Sequence, residues 1–240
     1  MRQDEVGNDG VVVLADRRAH HMLSVLKARK GQELKVGLLN GHCGTGVIES
    51  VNDGKVVLRC AFTEEPLPAS RLDLLLALPR PKALKRLWPQ LASLGLRRIF
   101  LTNAAKVERE YFDTHWLDPK RYEALLIEGL EQAGDTFLPE VSIIRRLKPF
   151  VEDKLSDVCG EGSRLVAHPG AGLRPGKLSR NPGEGTVLAI GPEGGWTDFE
   201  LDMFERHGFT QVTLGARKLR TDTACVALIS LITEWMGMTV

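Results

Sequence analysis

Leu188-Ala189-Ile190-Gly191-Pro192-Glu193-Gly194-Gly195-Trp196 and, further on, Val212-Thr213-Leu214-Gly215-Ala216-Arg217-Lys218-Leu219-Arg220-Thr221-Asp222-Thr223-Ala224 are two strand-to-loop junctions, each an apolar run that stops at glycine. Residues 191–195 hold three glycines and a proline, so the backbone can take φ values closed to other residues and approach a ligand closely. An apolar run that ends in such a loop reads as a parallel strand with a binding loop at its carboxyl end. The second junction sets Arg220 and Thr221 at the mouth of an apolar helix. Free backbone N–H groups and a cation there can receive an anionic or electron-rich group.

Outward from these junctions the same rhythm repeats. Leu72 to Leu78 is a near-continuous apolar run, suited to a strand buried on both faces of a parallel sheet. A helix is predicted from Lys82 to Leu94, closed by Gly95, with Pro89 imposing a kink or a late start. Strands Arg98 to Thr102, Val141 to Arg145, Arg164 to His168, Thr186 to Ile190 and Gln211 to Leu214 follow. With helices Asp118 to Gly134, Asp198 to His207 and Thr221 to Met236 they predict an α/β domain over residues 71–240, helices on both sides of the sheet. Ahead of it lie the short apolar runs Val11 to Leu14, Glu33 to Leu39, Gly46 to Val51 and Lys55 to Cys60, and one helix from Arg17 to Leu26. Turn signals at Asn40-Gly41 and Asp53-Gly54 make this a small β-barrel or β-rich domain over residues 1–66. Glu64-Glu65-Pro66-Leu67-Pro68-Ala69-Ser70, with no apolar period, reads as the linker.

The chain has 240 residues, 43% of them hydrophobic, enough for an ordinary core in two domains. No apolar stretch is long enough to span a bilayer, and Met1-Arg2-Gln3-Asp4-Glu5-Val6 lacks the apolar segment of a signal peptide, so a cytoplasmic protein with no membrane partner is expected. Cys43, Cys60, Cys159 and Cys225 form no CxxC pair, which argues against zinc and against a disulfide framework; buried thiols and no metal are expected. A net charge of +1 does not advertise nucleic acid. Local charge says more: Arg17, Arg18, Lys27, Arg29, Lys30 and Lys35 stand beside His20 and His21, and further clusters occur at Arg80, Lys82, Lys85 and Arg86, at Arg97 and Arg98, and at Arg145, Arg146 and Lys148. Each is readable as a solvated face, but their recurrence favours a phosphate-rich partner.

The glycine loop is neither GxGxxG nor a Walker loop, because the second glycine of the former and the GK[ST] of the latter have no counterpart. Dinucleotide and triphosphate binding lose support. Its plain structural reading is a turn with Thr197 or Asp198 capping the next helix. Arg217, Lys218 and Arg220 lie at a helix N-terminus, where the macrodipole disfavours cations, so their placement calls for an anion or partner unless Asp222 or another carboxylate pairs with them.

Together, GPEGG and the LGxRxLRTxTA-like segment resemble the SPOUT superfamily of RNA methyltransferases, and within it the 16S ribosomal RNA uridine N3-methyltransferases of the RsmE type. His20-His21-Met22-Leu23-Ser24-Val25-Leu26-Lys27 with Gly31 and the Gly41/Gly44 turn resembles the HH-x-x-x-VLR segment of that family's PUA-like barrel. Lys82, and Gly129-Leu130-Glu131-Gln132-Ala133-Gly134-Asp135-Thr136 before Leu138-Pro139, match its EQ-containing helix end and the LP behind it. The chain departs from the family where Asp222 replaces glutamate, Lys27 replaces a common arginine and Ser93-Leu94-Gly95 replaces ELG; the cofactor-loop glycines are all kept.

The resemblance implies a SPOUT domain, α/β/α with a parallel sheet and a trefoil knot, behind the PUA-like barrel, working as a homodimer on 16S ribosomal RNA or the small ribosomal subunit. It implies S-adenosylmethionine held by Ala167, His168, Pro169 and Gly170, by Ile190, Gly191, Gly194 and Gly195, and by Leu214, Gly215, Leu219, Thr221 and Ala224. Arg220 and Glu193 are the catalytic candidates, the first for charge on the uracil ring and the second as a base or a loop anchor, with the structural role ranked first. Arg17, Arg18, Lys27, Arg29, Lys30 and Lys82 are the candidate phosphate contacts. His168 reads as a packed residue before it reads as a base. A different RNA target, or an RNA-binding assembly protein without activity, are the competing expectations.

Overall fold

The computed structural model describes residues 1–68, 70–179 and 185–237. The short apolar runs of the amino-terminal part become β1 (Val11–Leu14), β2 (Glu33–Gly37), β3 (Cys43–Asn52) and β4 (Lys55–Glu64), with α1 (Arg17–Ser24) after β1. They form an antiparallel sheet in the order β1-β4-β3-β2. Asp53 and Gly54, at φ 47° and 76°, make the β3–β4 turn that their dipeptide signals. Alternate side chains bury Val12, Leu14, Ile48, Val56 and Leu58 against Ala19 of α1.

One compact unit comprises Met1–Pro68 and Leu130–Leu138, and the other takes the remaining described residues. Residues 130–138 therefore pack with the amino-terminal part although they lie far along the chain. Their attachment is non-local: the Asn40 N–H donates to Thr136 O at 2.7 Å, the Thr136 hydroxyl to Gly41 O at 2.6 Å, and the Leu138 N–H to Asn40 Oδ1 at 2.8 Å. No local pattern announces such bonds.

The larger unit is built on β5 (Leu72–Ala77), α2 (Pro81–Ser93), β6 (Arg98–Thr102), α3 (Pro119–Ala133, its last turn in the smaller unit), β7 (Glu140–Ile144), α4 (Leu147–Asp153), α5 (Leu155–Cys159), β8 (Ser163–Ala167), β9 (Thr186–Ile190), α6 (Asp198–Arg206), β10 (Phe209–Val212) and α7 (Thr221–Trp235). Its six strands are all parallel, in the order β10-β8-β9-β5-β6-β7. Central β5 and β9 are buried at every residue, as continuous apolar runs require. Pro89 sits inside α2, and a Cβ on Gly129 of α3 would lie 2.1 Å from the Pro89 carbonyl oxygen. Only glycine lets the two helices approach so closely. No helix among the described residues is long and apolar enough to cross a membrane.

The amino ends of the strands are closed by charge. Asp73, fully buried at the start of β5, accepts from Arg97 Nε at 2.9 Å and Nη2 at 2.5 Å, with Arg98 Nε at 3.5 Å. Burial, then the neighbouring Asp73 carboxylate, pushes the Cys159 thiol up to about 12. All four cysteines are free; Cys60 and Cys225 are buried, Cys43 and Cys159 half-buried.

Candidate functional site

Register brings the three expected loops together. Val212 pairs with Ala167, Val166 with Ala189 and Leu76 with Ile190, so β10, β8 and β9 end side by side at one level of the sheet. Two of the loops are stitched to each other. The His168 N–H donates to Val212 O at 2.9 Å and the Thr213 N–H to Leu173 O at 2.9 Å, while the Thr213 hydroxyl accepts from the Gly215 N–H at 3.1 Å. The half-buried His168 ring lies against Gly170, 2.8 Å from where a Cβ would stand.

The GPEGG segment is a tight turn: the Gly195 N–H donates to Pro192 O at 2.8 Å and Gly195 takes φ 69°. A Cβ on Gly191 would stand 3.2 Å from the indole of Trp196, which is 5% exposed and packs edge-on against Phe204 at 4.9 Å. Trp196 Nε1 is buried with no hydrogen-bond partner among the described residues. Three outside groups hold the turn. Glu193 Oε1 accepts from the Arg80 N–H at 3.2 Å, at the amino end of α2, and Lys106 Nζ donates to Gly194 O at 2.9 Å. Thr197 caps α6 in a reciprocal box with Glu200, whose other oxygen accepts from the Ala105 N–H at 2.8 Å. The capping reading and the binding-loop reading are compatible, since the cap fixes where the turn points.

At the second junction residues 216–220 are all exposed. Arg220 is the N-cap residue of α7, without a side-chain cap bond, and its side chain is 75% exposed. Asp222 lies mostly covered; it takes Arg86 Nη2 at 2.7 Å and Arg220 Nε only at 3.6 Å. The hydrogen bond from Arg86 holds the Asp222 carboxyl below the usual carboxylate range. Asp222 thus satisfies Arg86 first and leaves the Arg220 guanidinium largely to solvent. Thr221 is buried, Ala224 half-buried, and Leu219 exposed.

Glu193 and Arg220 meet through α2: one carboxylate caps its first turn at Arg80, while the other side chain shares Asp222 with Arg86. Arg80, Arg86 and Lys106 were not among the expected site residues. The α2 cluster is visible in the sequence as charge, whereas nothing local marks Lys106. Among the phosphate candidates, Lys82 is exposed on α2. In the smaller unit Arg17 is 62% exposed and paired with Glu131 at 2.8 Å. Arg18 is clamped between Glu5 and Asp16 and mostly covered, so its charge is already spent. Lys27, Arg29 and Lys30 face solvent beside exposed Val25 and Leu26.

Comparison with known proteins fits this geometry. A model of the RNA methyltransferase domain matches residues 65–233, and one of the RNA methyltransferase PUA domain matches residues 14–59. The chain is 30% identical to ribosomal RNA small subunit methyltransferase E of Treponema pallidum, over 96% of this chain and 88% of that protein. It is 27% identical to the enzyme named ribosomal RNA small subunit methyltransferase E 1 of Borreliella burgdorferi, over 90% and 89%. A methyltransferase structure from Legionella pneumophila, in complex with the cofactor SAM, matches at TM-score 0.75 and 25% identity, covering 96% of this chain and 95% of that one. The Neisseria gonorrhoeae methyltransferase E structure, at TM-score 0.76, 24% identity and coverage of 98% and 96%, shares the fold.

Proposed function

The chain belongs to the RNA methyltransferase family that these models describe, and on that premise we propose that it transfers a methyl group from S-adenosylmethionine to N3 of a uridine in small-subunit ribosomal RNA. The observation that carries the reading is the convergence of three glycine-bearing loops, from adjacent strands at one level, beside a solvent-facing Arg220. The loops suit an adenosyl group: backbone edges for the base, apolar walls from Ile190, Leu214 and Leu219, and glycines 170, 191, 194, 195 and 215 that admit close approach. Ala167, His168, Pro169, Thr221 and Ala224 complete the holding set. When bound, the cofactor supplies an electrophilic methyl carbon.

The rest is asked of the side chains. Uridine N3 carries a proton at neutral pH and has no free in-plane lone pair, so the base becomes nucleophilic only as that proton passes to solvent water. Arg220 stabilises the negative charge that spreads onto the ring carbonyls, as oxyanion-type stabilisation does elsewhere. Its long contact with Asp222 orients the guanidinium without neutralising it. Glu193 anchors the turn on α2, because its carboxylate already accepts a backbone N–H. Lys27, Arg29 and Lys30, which face solvent, meet phosphates, which position the RNA and carry no sequence information; Arg17 and Arg18 are already paired with carboxylates. The reading includes the trefoil knot, a homodimer using the outer face of α7, two domains near the linker boundary, and work in the cytoplasm.

Mass mapping of modified nucleotides tests the target. Small-subunit ribosomal RNA from cells lacking the protein is expected to miss a single N3-methyluridine that purified enzyme and S-adenosylmethionine restore. A methyl restored at another atom or in another RNA would overturn the assignment.

A further inference from the structure

Helix α2 breaks a local rule. Its thirteen residues carry Lys82, Lys85 and Arg86 and no carboxylate, and all three cations stand in the amino-terminal half, where the macrodipole opposes them. Arg86 is compensated by Asp222, but no carboxylate pairs with Lys82 or Lys85 among the described residues. Lys85 is held another way. Its Nζ lies 4.7 Å from the centroid of the Trp116 ring, and the Arg121 guanidinium carbon lies 6.0 Å from the same centroid.

That seat is built rather than incidental. Fully buried Trp88, on the inner side of α2, donates its indole N–H to the Trp116 carbonyl at 3.1 Å and stacks on Tyr122 at 5.0 Å. The Thr114 hydroxyl accepts from the Trp116 N–H at 3.4 Å. The distinction matters electrostatically. A cation held by a carboxylate gives up its net charge to the pair, whereas one held by a π face stays in place with its full charge and its donors free. Arg17, Arg18, Arg59, Arg86 and Arg97 are held in the first way. Lys85 and Arg121 are held in the second.

We propose that the outward face of α2, from Lys82 to the Lys85–Trp116–Arg121 seat, is an RNA contact that grips backbone phosphates of the strand entering the site at Arg220. Lys82 and Lys85 lie one helical turn apart on one face, and Arg86, in the same turn as Lys85, connects that face through Asp222 to Arg220. The proposal rests on the methyltransferase reading above.

The test is the salt dependence of binding to an in vitro transcript of small-subunit ribosomal RNA. Removing one cation that meets a phosphate lowers the slope of log affinity against log salt by about one. The Lys85→Gln/Arg121→Gln double variant is expected to reduce that slope by about two and to raise the KM for RNA, with S-adenosylmethionine affinity retained in calorimetry. Trp116→Leu keeps both charges but removes their seat, and should weaken RNA binding in the same direction, with Trp116→Phe restoring part of it. An unchanged slope and KM in the double variant, while the wild type binds and methylates, overturns the α2 contact alone. If binding to the naked transcript is unchanged and binding to assembled small subunits falls, the face meets a ribosomal protein and the RNA assignment is wrong. A wild type that neither binds nor methylates the transcript or the subunit overturns the functional reading together with this one.

Discussion

The two ends of the six-stranded sheet use the same residue types in opposite ways. At the amino end a fully buried Asp73 neutralises Arg97 and Arg98, and the backbone closes up until a Cβ on Gly162 would stand 2.0 Å from Gly185 O. At the carboxyl end the carboxylates of Glu193 and Glu200 are spent on backbone N–H groups, and Arg217, Lys218 and Arg220 are left exposed. One end is a clamp and the other is open. On the proposed reading, stability and chemistry are located at separate ends of the same strands, and separate substitutions should reach them.

The largest effect belongs to the clamp. Asp73→Ala leaves two guanidinium groups partly buried without a partner and should cost about 3–5 kcal/mol in urea unfolding, with cofactor affinity unchanged in the protein that remains folded. A small stability loss with a large affinity loss would break the division. Arg220→Ala should do the reverse: methyl transfer falls by about 10²–10³-fold, while the urea midpoint and S-adenosylmethionine binding hold. Gly191→Ala tests the boundary between the two behaviours. The added methyl meets the Trp196 indole, so about 1–3 kcal/mol of stability and some cofactor affinity should go together; an unaffected affinity would remove Gly191 from the cofactor wall.

The smallest effect is a pH dependence. Arg86 depresses the Asp222 pKa, so this pair stabilises the fold above the usual carboxylate range and loses that contribution as pH falls through the lowered value. Arg86→Gln should therefore trail the wild type by at most about 1 kcal/mol near neutrality, and the gap should close in acid. A gap that persists in acid would mean that Arg86 acts by packing.

The strands and long helices were legible because their apolar periods are local. β6 and β9 match their predicted spans, and of the two cap candidates for α6, Thr197 and Asp198, Thr197 takes the role. The two short helices α4 and α5 were not, since seven residues around Pro149 and five after them are too few to show a period. The loops that form the site were readable from their glycines. The groups that fix them were not: Arg80 lies 113 residues before Glu193, Lys106 lies 88 before Gly194, and Arg86 lies 136 before Asp222. Such pairings are products of sheet order. A charge cluster on α2 could be seen, but not which of its members were already neutralised.

The position of α2 has a thermodynamic consequence. Helix α2 carries both the anchor of the glycine turn, at Arg80, and the partner of Asp222, at Arg86. On the proposed reading, cofactor at the glycine loops and RNA at Arg220 both bear on this one helix, which would link the two binding equilibria. Whatever factor a bound cofactor adds to or takes from the affinity for RNA, bound RNA must apply equally to the affinity for cofactor.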